Sequence, residues 1–324
     1  MSYTYTKDSK LSCVLCPHHC LIEDGERGIC MVRENRGGSL HLPFYGVLSA
    51  VSTDPIEKKP LYHFYPGSSI FSVGFYGCSF RCPFCQNFRI AQFTPQGNYR
   101  TTQPKELVQQ ALKQGAGAIA YTYSEPLVHF EWMLETAKLA RKKGLKNVLV
   151  SNGFINPAPA DELLEVLDAA NIDFKSIQPE FYRDIVGGNV EPVVAFLKKA
   201  AEKIHLEVTT LIIPGYTDSI NEIREISQFI SGMDSDIPLH LSCYYPAYKF
   251  DAPPTDPSTV FNLAETAREY LNFVYPGNVG LREVDTECTQ CGNVLIRRRG
   301  YQVEMPGIEN DSCSTCGQPV PFPL

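Results

Sequence analysis

Gly77-Cys78-Ser79-Phe80-Arg81-Cys82-Pro83-Phe84-Cys85-Gln86-Asn87 carries three cysteines at spacing C-x3-C-x2-C. It directly follows the apolar run Ser69-Ile70-Phe71-Ser72-Val73-Gly74-Phe75-Tyr76, so the loop is expected at the end of a strand. Three soft thiolates on one short loop suit an iron–sulfur cluster or zinc rather than a hard cation. A structural zinc site closes four ligands, whereas a site with an open position is a site for chemistry. The plainer alternative is a fragment of a zinc site completed from elsewhere in the chain.

The chain has 324 residues, 44% apolar and 20% charged, enough for one large α/β domain with small appendages. Its formal net charge of −7 gives no overall electrostatic case for binding nucleic acid or an anionic membrane. No apolar stretch is long enough to span a bilayer, and Met1 to Asp8 lack a signal-peptide core, so a cytoplasmic location is expected. Twelve cysteines in such a chain argue for metal rather than disulfides. They fall into three groups and one singleton, Cys243. The grouping predicts a metal knuckle and lead-in over 1–65, a catalytic domain over 66–282 and a ribbon over 283–324.

Cys13, Cys16, Cys20 and Cys30, with glycines at 25 and 28, read as a knuckle that a metal must fold, zinc or an iron–sulfur site. His18 and His19 read as loop residues beside four sufficient cysteines. Residues 39–51 alternate like a hairpin, and Lys58 and Lys59 read as a solvated pair. At the other end, Cys288, Cys291, Cys313 and Cys316 form two C-x2-C-G knuckles, similar to a zinc ribbon or a rubredoxin-like iron site. Arg297, Arg298 and Arg299 between them read as a solvated face.

From 69 to about 246, strand-like and helix-like runs alternate, which predicts a parallel α/β architecture. Strands are expected at 69–77, 117–123, 147–151, 172–176, 205–213 and 239–245, with a closing strand at 273–279. In a parallel barrel the site forms at the C-terminal strand ends. There stand Ser124 and Glu125, a carboxylate fit to accept from an ammonium or to favour a helix N-terminus. Ser151 and Asn152 follow the next strand as donors and acceptors, or as a turn. Period-two alternation puts Asp173 and Lys175 on one face, where they pair or meet a charged ligand. Ile213 precedes Pro214-Gly215, and His240 shares a face with Ser242. Cys243 is a candidate hydrogen-atom donor or reactive thiol, against a semi-buried small apolar residue.

With Phe84 just before its third cysteine, the loop resembles that of the radical S-adenosylmethionine (SAM) superfamily. The resemblance implies a partial (β/α)6 TIM-like barrel with small four-cysteine metal modules at both ends. It implies a 4Fe-4S cluster on Cys78, Cys82 and Cys85, whose fourth iron is chelated by SAM. One electron then splits SAM reductively and yields a 5′-deoxyadenosyl radical for hydrogen abstraction. Phe84 and Ile213 are implied near the adenine, and Ser124 and Glu125 near the ammonium, although both glycines of the family's Gly-Gly-Glu-Pro are replaced here. Ser151 and Asn152 are implied near the ribose and carboxylate, Asp173 and Lys175 near the methionine end, and His240 close to the cofactor. At Cys243 the closer relatives usually have arginine.

Over nearly the whole chain the pattern is similar to the radical enzyme of the AmmeMemoRadiSam system, itself related to glycyl-radical (pyruvate formate-lyase) activating enzymes. The shared stretches are Cys13-x2-Cys16-Pro17-His18-x-Cys20, Pro60-Leu61-Tyr62-His63-Phe64, Gln86-Asn87, Tyr121-Thr122-Tyr123-Ser124-Glu125-Pro126 and the tail ribbon. This implies SAM and an electron donor such as flavodoxin or ferredoxin as partners, with Memo-like and AMMECR1-like proteins as associates. It leaves the substrate open. The rival readings are an activase acting on a protein glycine, and a metal-binding interaction or electron-transfer protein without catalysis.

Overall fold

The computed structural model describes residues 3–7, 10–280 and 283–324. Its centre is one sheet of eight strands in chain order: β1 (Ala50–Pro55), β2 (Ser69–Gly74), β3 (Ala118–Thr122), β4 (Lys146–Ser151), β5 (Ala169–Asp173), β6 (His205–Ile212), β7 (Leu239–Cys243) and β8 (Val274–Gly277). Strands β2 to β8 run parallel. The crossovers carry α1 (Pro104–Lys113), α2 (Phe130–Lys142), α3 (Pro157–Leu164), α4 (Glu191–Lys203), α5 (Ile220–Ser231) and α6 (Pro257–Arg268). Strands β1 and β8 are not paired with each other, so the barrel is open, as the fold class anticipated. No helix among the described residues is long and apolar enough to cross a membrane.

Two elements differ from the sequence reading. The expected 39–51 hairpin splits: Ser39–His41 pairs with Glu34–Arg36, and Ala50 onward joins the main sheet antiparallel to β2. The sheet therefore begins inside the segment assigned to the lead-in. Strand β5 begins three residues before the expected 172 because Pro157, pre-set for a first helical turn, starts α3 early.

Alternation along the strands divides the core. Ile70, Ala118, Ala120, Val148 and Ala169 form one cluster with Ile56, Leu61 and Phe64 of the lead-in. The small alanines leave room for that segment to plug the N-terminal end of the barrel. Phe71, Val73, Ile119, Tyr121 and Leu149 belong to the larger core with the helices. Helix α1 contributes Leu107, Val108 and Ala111, a three-and-four spacing that makes one buried stripe.

The terminal modules dock at opposite ends. The tail packs under the barrel, where the Phe322 and His63 ring centroids are 4.1 Å apart and Tyr65 N donates to Pro323 O at 3.1 Å. Arg298 is 1% exposed, with Nη1 donating to Thr286 and Nη2 to the Tyr62 carbonyl, so this arginine is a buried anchor and not part of a solvated face. The N-terminal knuckle packs on top. Asn156 N donates to Leu15 O at 3.0 Å, and His18 Nε2 donates to Ser79 O at 2.7 Å, inside the cysteine loop.

Gly77 makes that upper contact possible. Its φ is +80°, and a Cβ there would collide with the Cys30 carbonyl and Val32. Gly77→Ala is expected to cost about 2–5 kcal/mol, from backbone strain and overpacking together, read as a fall in the urea midpoint.

His129 adds a pH dependence. It is buried, donates Nε2–H to the Tyr76 carbonyl at 2.8 Å and stacks on Phe75. Burial pulls its pKa down to about 4, below the unfolded value, so the unfolded chain binds more protons between the two. The stability it contributes is complete above about pH 6.5 and is lost as pH falls toward 4. The stability margin of the wild type over His129→Gln should shrink by about 2–3 kcal/mol between pH 7.5 and 4.5 in urea titrations.

Candidate active site

The cysteine loop leaves β2 at the C-terminal mouth and is pinned on several sides. Gly77 N donates to Ile90 O at 2.8 Å, Arg81 N to Val186 O at 2.9 Å, and Lys249 N to Pro83 O at 2.9 Å. Arg81 Nη1 also donates to the carbonyls of Cys78 and Phe80. The three cysteines line a cavity of about 360 Å³, a volume suited to a nucleoside-sized ligand. No fourth cysteine is among its described lining residues. Burial pushes the Cys82 thiol up to about 11 and raises Cys78 and Cys85 above the ordinary thiol range. The thiols are therefore protonated in the metal-free chain, and any metal that binds must displace protons.

Phe84, Ser124, Glu125, Ser151, Asn152, Asp173 and Lys175 all line the same cavity. Phe84 is held by Phe181, stacked at 6.1 Å, and by the edge of Phe250 at 5.8 Å. Glu125 is 1% exposed and joins the ends of two strands. Its Oε1 accepts from Leu127 N at 3.0 Å and Ser151 Oγ at 2.7 Å, and its Oε2 accepts from Asn152 N at 2.9 Å. Burial outweighs these donors and lifts its pKa to about 7. The carboxylate caps the turn before α2, and one acceptor position of about four remains free.

Asn152 does more than turn the chain. Its Oδ1 accepts from Phe154 N at 2.9 Å, while Nδ2 reaches Ser79 Oγ at 3.0 Å and Cys78 Sγ at 3.8 Å. Lys175 Nζ lies 3.2 Å from Asp173 Oδ2, with the carboxylate side chain 45% exposed and the lysine 16%. Burial alone would lower the Lys175 pKa, but the Asp173 carboxylate reverses this and keeps it cationic. That cation in turn favours the thiolate forms of Cys82 and Cys85.

Three candidates are placed elsewhere. His240 does share the Ser242 face, but it sits two residues lower, roughly 6–7 Å down the strand. There its Nε2 meets Glu207 Oε2 at 2.6 Å beneath the cavity. Cys243 is 0% exposed and alternates away from Ser242 into the helix-side core. Ile213 is 1% exposed, and its N–H donates to Thr217 in the turn that follows β6. None of the three lines the cavity.

Conversely, Lys59, read from the sequence as half of a solvated pair, is buried beside the cavity. It is 1% exposed, 2.7 Å from Asp54 Oδ2, and its Nζ lies 4.3 Å from the Tyr123 ring centroid. Tyr123 also donates to Asp54 at 2.6 Å and adopts φ +71°. The buried ion pair holds a tyrosine in a left-handed conformation it would otherwise avoid. The legible signal was an acid four and five residues before two lysines, Asp54 before Lys58 and Lys59. Beside this turn, the Ser124 hydroxyl is buried at the cavity wall without a partner.

A second group of cysteines could hold a metal. Among the described residues, Cys288, Cys291, Cys313 and Cys316 have sulfurs all within 4.8 Å of one another. Around them lies a core of only a few residues, Leu295, Ile296 and Phe322 among them.

The Radical SAM superfamily profile matches residues 72–230. An uncharacterized protein of Methanocaldococcus jannaschii is 40% identical over 332 residues, covering 100% of this chain and 99% of its own. The pyruvate formate-lyase 1-activating enzyme of Escherichia coli is 26% identical over 182 residues, covering 54% of this chain and 74% of its own. Among solved structures, a radical SAM methyltransferase from Sphaerobacter thermophilus has a TM-score of 0.52 at 15% identity. That match covers 66% of this chain and 67% of the methyltransferase, a likeness of fold alone.

Proposed function

The chain belongs to the radical SAM superfamily, and from that premise we propose that it cleaves SAM reductively and takes a hydrogen atom from a substrate admitted to the cavity. The carrying observation is the loop of Cys78, Cys82 and Cys85 on a cavity without a fourth cysteine among its described lining residues. Three thiols and the unpartnered Ser124 hydroxyl fit a cluster with one open iron and an amino-acid ligand on it. When bound, the cluster supplies the one electron that splits the sulfonium bond and frees the 5′-deoxyadenosyl radical.

The chain's own residues then bind and align. Phe84 offers a ring held by Phe181 and Phe250 to the adenine. Lys175 meets the carboxylate of SAM, while Ser124 and the remaining acceptor position of Glu125 meet its ammonium. Ser151 and Asn152 keep Glu125 in place, and Asn152 donates toward the Cys78 sulfur. The partly exposed Asp173 carboxylate neutralises Lys175 from the solvent side. Hydrogen abstraction depends on alignment of substrate carbon with the ribose, which these fixed contacts provide.

Two finer readings complete the proposal. The shared motifs support the AmmeMemoRadiSam type, in which case a Memo-like or AMMECR1-like protein should raise the rate of SAM cleavage; an unchanged rate argues against it. The Cys288 group is read as holding one ion, zinc or a single iron. Four sulfurs around one ion at about 2.3 Å lie about 3.8 Å apart, close to the 3.6 Å of Cys288–Cys316 and Cys291–Cys313. Chelation should unfold the ribbon and leave the SAM site loaded, as read by zinc analysis and iron content. For the main proposal the test is spectroscopic. Adding SAM to the dithionite-reduced, reconstituted protein should change the electron paramagnetic resonance (EPR) signal of the cluster. An unchanged signal would refute SAM binding at the open iron.

A further inference from the structure

Cys13, Cys16, Cys20 and Cys30 surround a small, largely apolar cavity between the N-terminal knuckle and the barrel, closed on the barrel side by Leu127 and Phe154. Their sulfurs are arranged unlike those of the ribbon. In the ribbon Cys288–Cys316 and Cys291–Cys313 are each 3.6 Å apart, the separation expected for thiolates sharing one ion. Among the described residues the ribbon is the one group in which three or more ligand atoms approach within 4.8 Å of one another. The N-terminal four do not approach so closely; they stand around a space, as Cys78, Cys82 and Cys85 do. Thiolates on one ion crowd together, whereas thiolates on the separate irons of a cluster are held apart by its body.

Arg33 supplies an independent observation. It lines the same cavity and is 2% exposed. Its Nη1 and Nη2 are taken by Glu131 at 2.7 and 2.8 Å, which leaves Nε buried without a partner. An unmet N–H donor is costly in so apolar a place unless something there accepts from it. Cluster sulfurs and thiolates are acceptors, and together they carry net negative charge that a buried guanidinium offsets.

We propose that Cys13, Cys16, Cys20 and Cys30 hold a second 4Fe-4S cluster, fully ligated by cysteine, toward which Arg33 donates from Nε. Its wall is shared with the SAM-site loop. Gly77 lies against the Cys30 carbonyl, and His18, between Cys16 and Cys20, hydrogen-bonds Ser79. The assignment needs no turnover and stands or falls apart from the SAM chemistry.

The test is the protein carrying Cys78→Ala, Cys82→Ala and Cys85→Ala together, reconstituted without oxygen. It should retain about four irons and four acid-labile sulfides per chain and give a cluster EPR signal on reduction. Zinc in the knuckle, or iron without sulfide, would overturn the proposal. Should that variant fail to fold, the wild type serves: about eight sulfides per chain support the second cluster, and about four refute it. Arg33→Gln added to the triple variant should lower the midpoint potential of the retained cluster, and Arg33→Gln alone in the wild-type background should leave the signal of the Cys78 site in place. An unchanged potential would remove Arg33 from the account.

Discussion

Cys82→Ala protein, reconstituted beside the wild type, forms 5′-deoxyadenosine at no more than about a thousandth of the wild-type rate, a loss of at least about 4 kcal/mol of barrier lowering. Cys82 is 7% exposed and lies on the loop between Cys78 and Cys85, fixed by the hydrogen bonds of Arg81 and Lys249. No other cysteine lines the cavity among the described residues, so none can take its place. The matched control is Cys243→Ala. That thiol is fully buried on the helix side and does not reach the cavity, so SAM cleavage should stay within about twofold while the packing loss costs about 1 kcal/mol. Chromatographic assay of 5′-deoxyadenosine in the two variants separates ligand from bystander. Comparable losses in both would place Cys243 back in the chemistry.

The second large effect lies at the other end of the barrel. Glu207→Ala should destabilise the fold by about 4 kcal/mol or more, enough to leave a marginal protein largely unfolded at 37 °C. Glu207 is 0% exposed and receives Tyr62 N at 3.0 Å, His63 N at 2.7 Å, His205 Nε2 at 3.0 Å and His240 Nε2 at 2.6 Å. Burial alone would raise its pKa, yet His205 and His240 hold it well below the usual carboxylate range. The folded value is depressed, so this stability is complete above about pH 4.5 and fades as pH falls further. Alanine strands two backbone donors and two imidazoles in an apolar end. It also loosens Tyr62, over which Arg298 of the ribbon stacks at 4.4 Å. Thermal unfolding should show the loss, with Glu207→Gln retaining part of the wild-type midpoint.

These two sites also show what could be read from residue order. That Cys78, Cys82 and Cys85 share one cavity at a strand end was legible because their spacing is local and the strand before them is apolar and short. The strand ends were legible for the same reason, and Glu125, Asn152, Asp173 and Lys175 do meet at one cavity. Depth along a strand was not. His240 has the parity expected of a site residue, but period two cannot say which layer of a barrel a residue occupies. Pairings across long separations were also hidden. Lys59 reads as a surface lysine until β1 and Tyr123 close over it, and Arg298 reads as solvated until the tail docks under β8. His18 looked like a loop residue because its acceptor, Ser79, lies 61 positions away.

The central claim is an open iron on three thiolates that breaks a sulfonium bond. Anaerobic protein with its full complement of iron and sulfide, mixed with SAM and dithionite, should release 5′-deoxyadenosine and methionine in equal amounts, even without a substrate. The same fully loaded protein returning SAM intact would contradict the account.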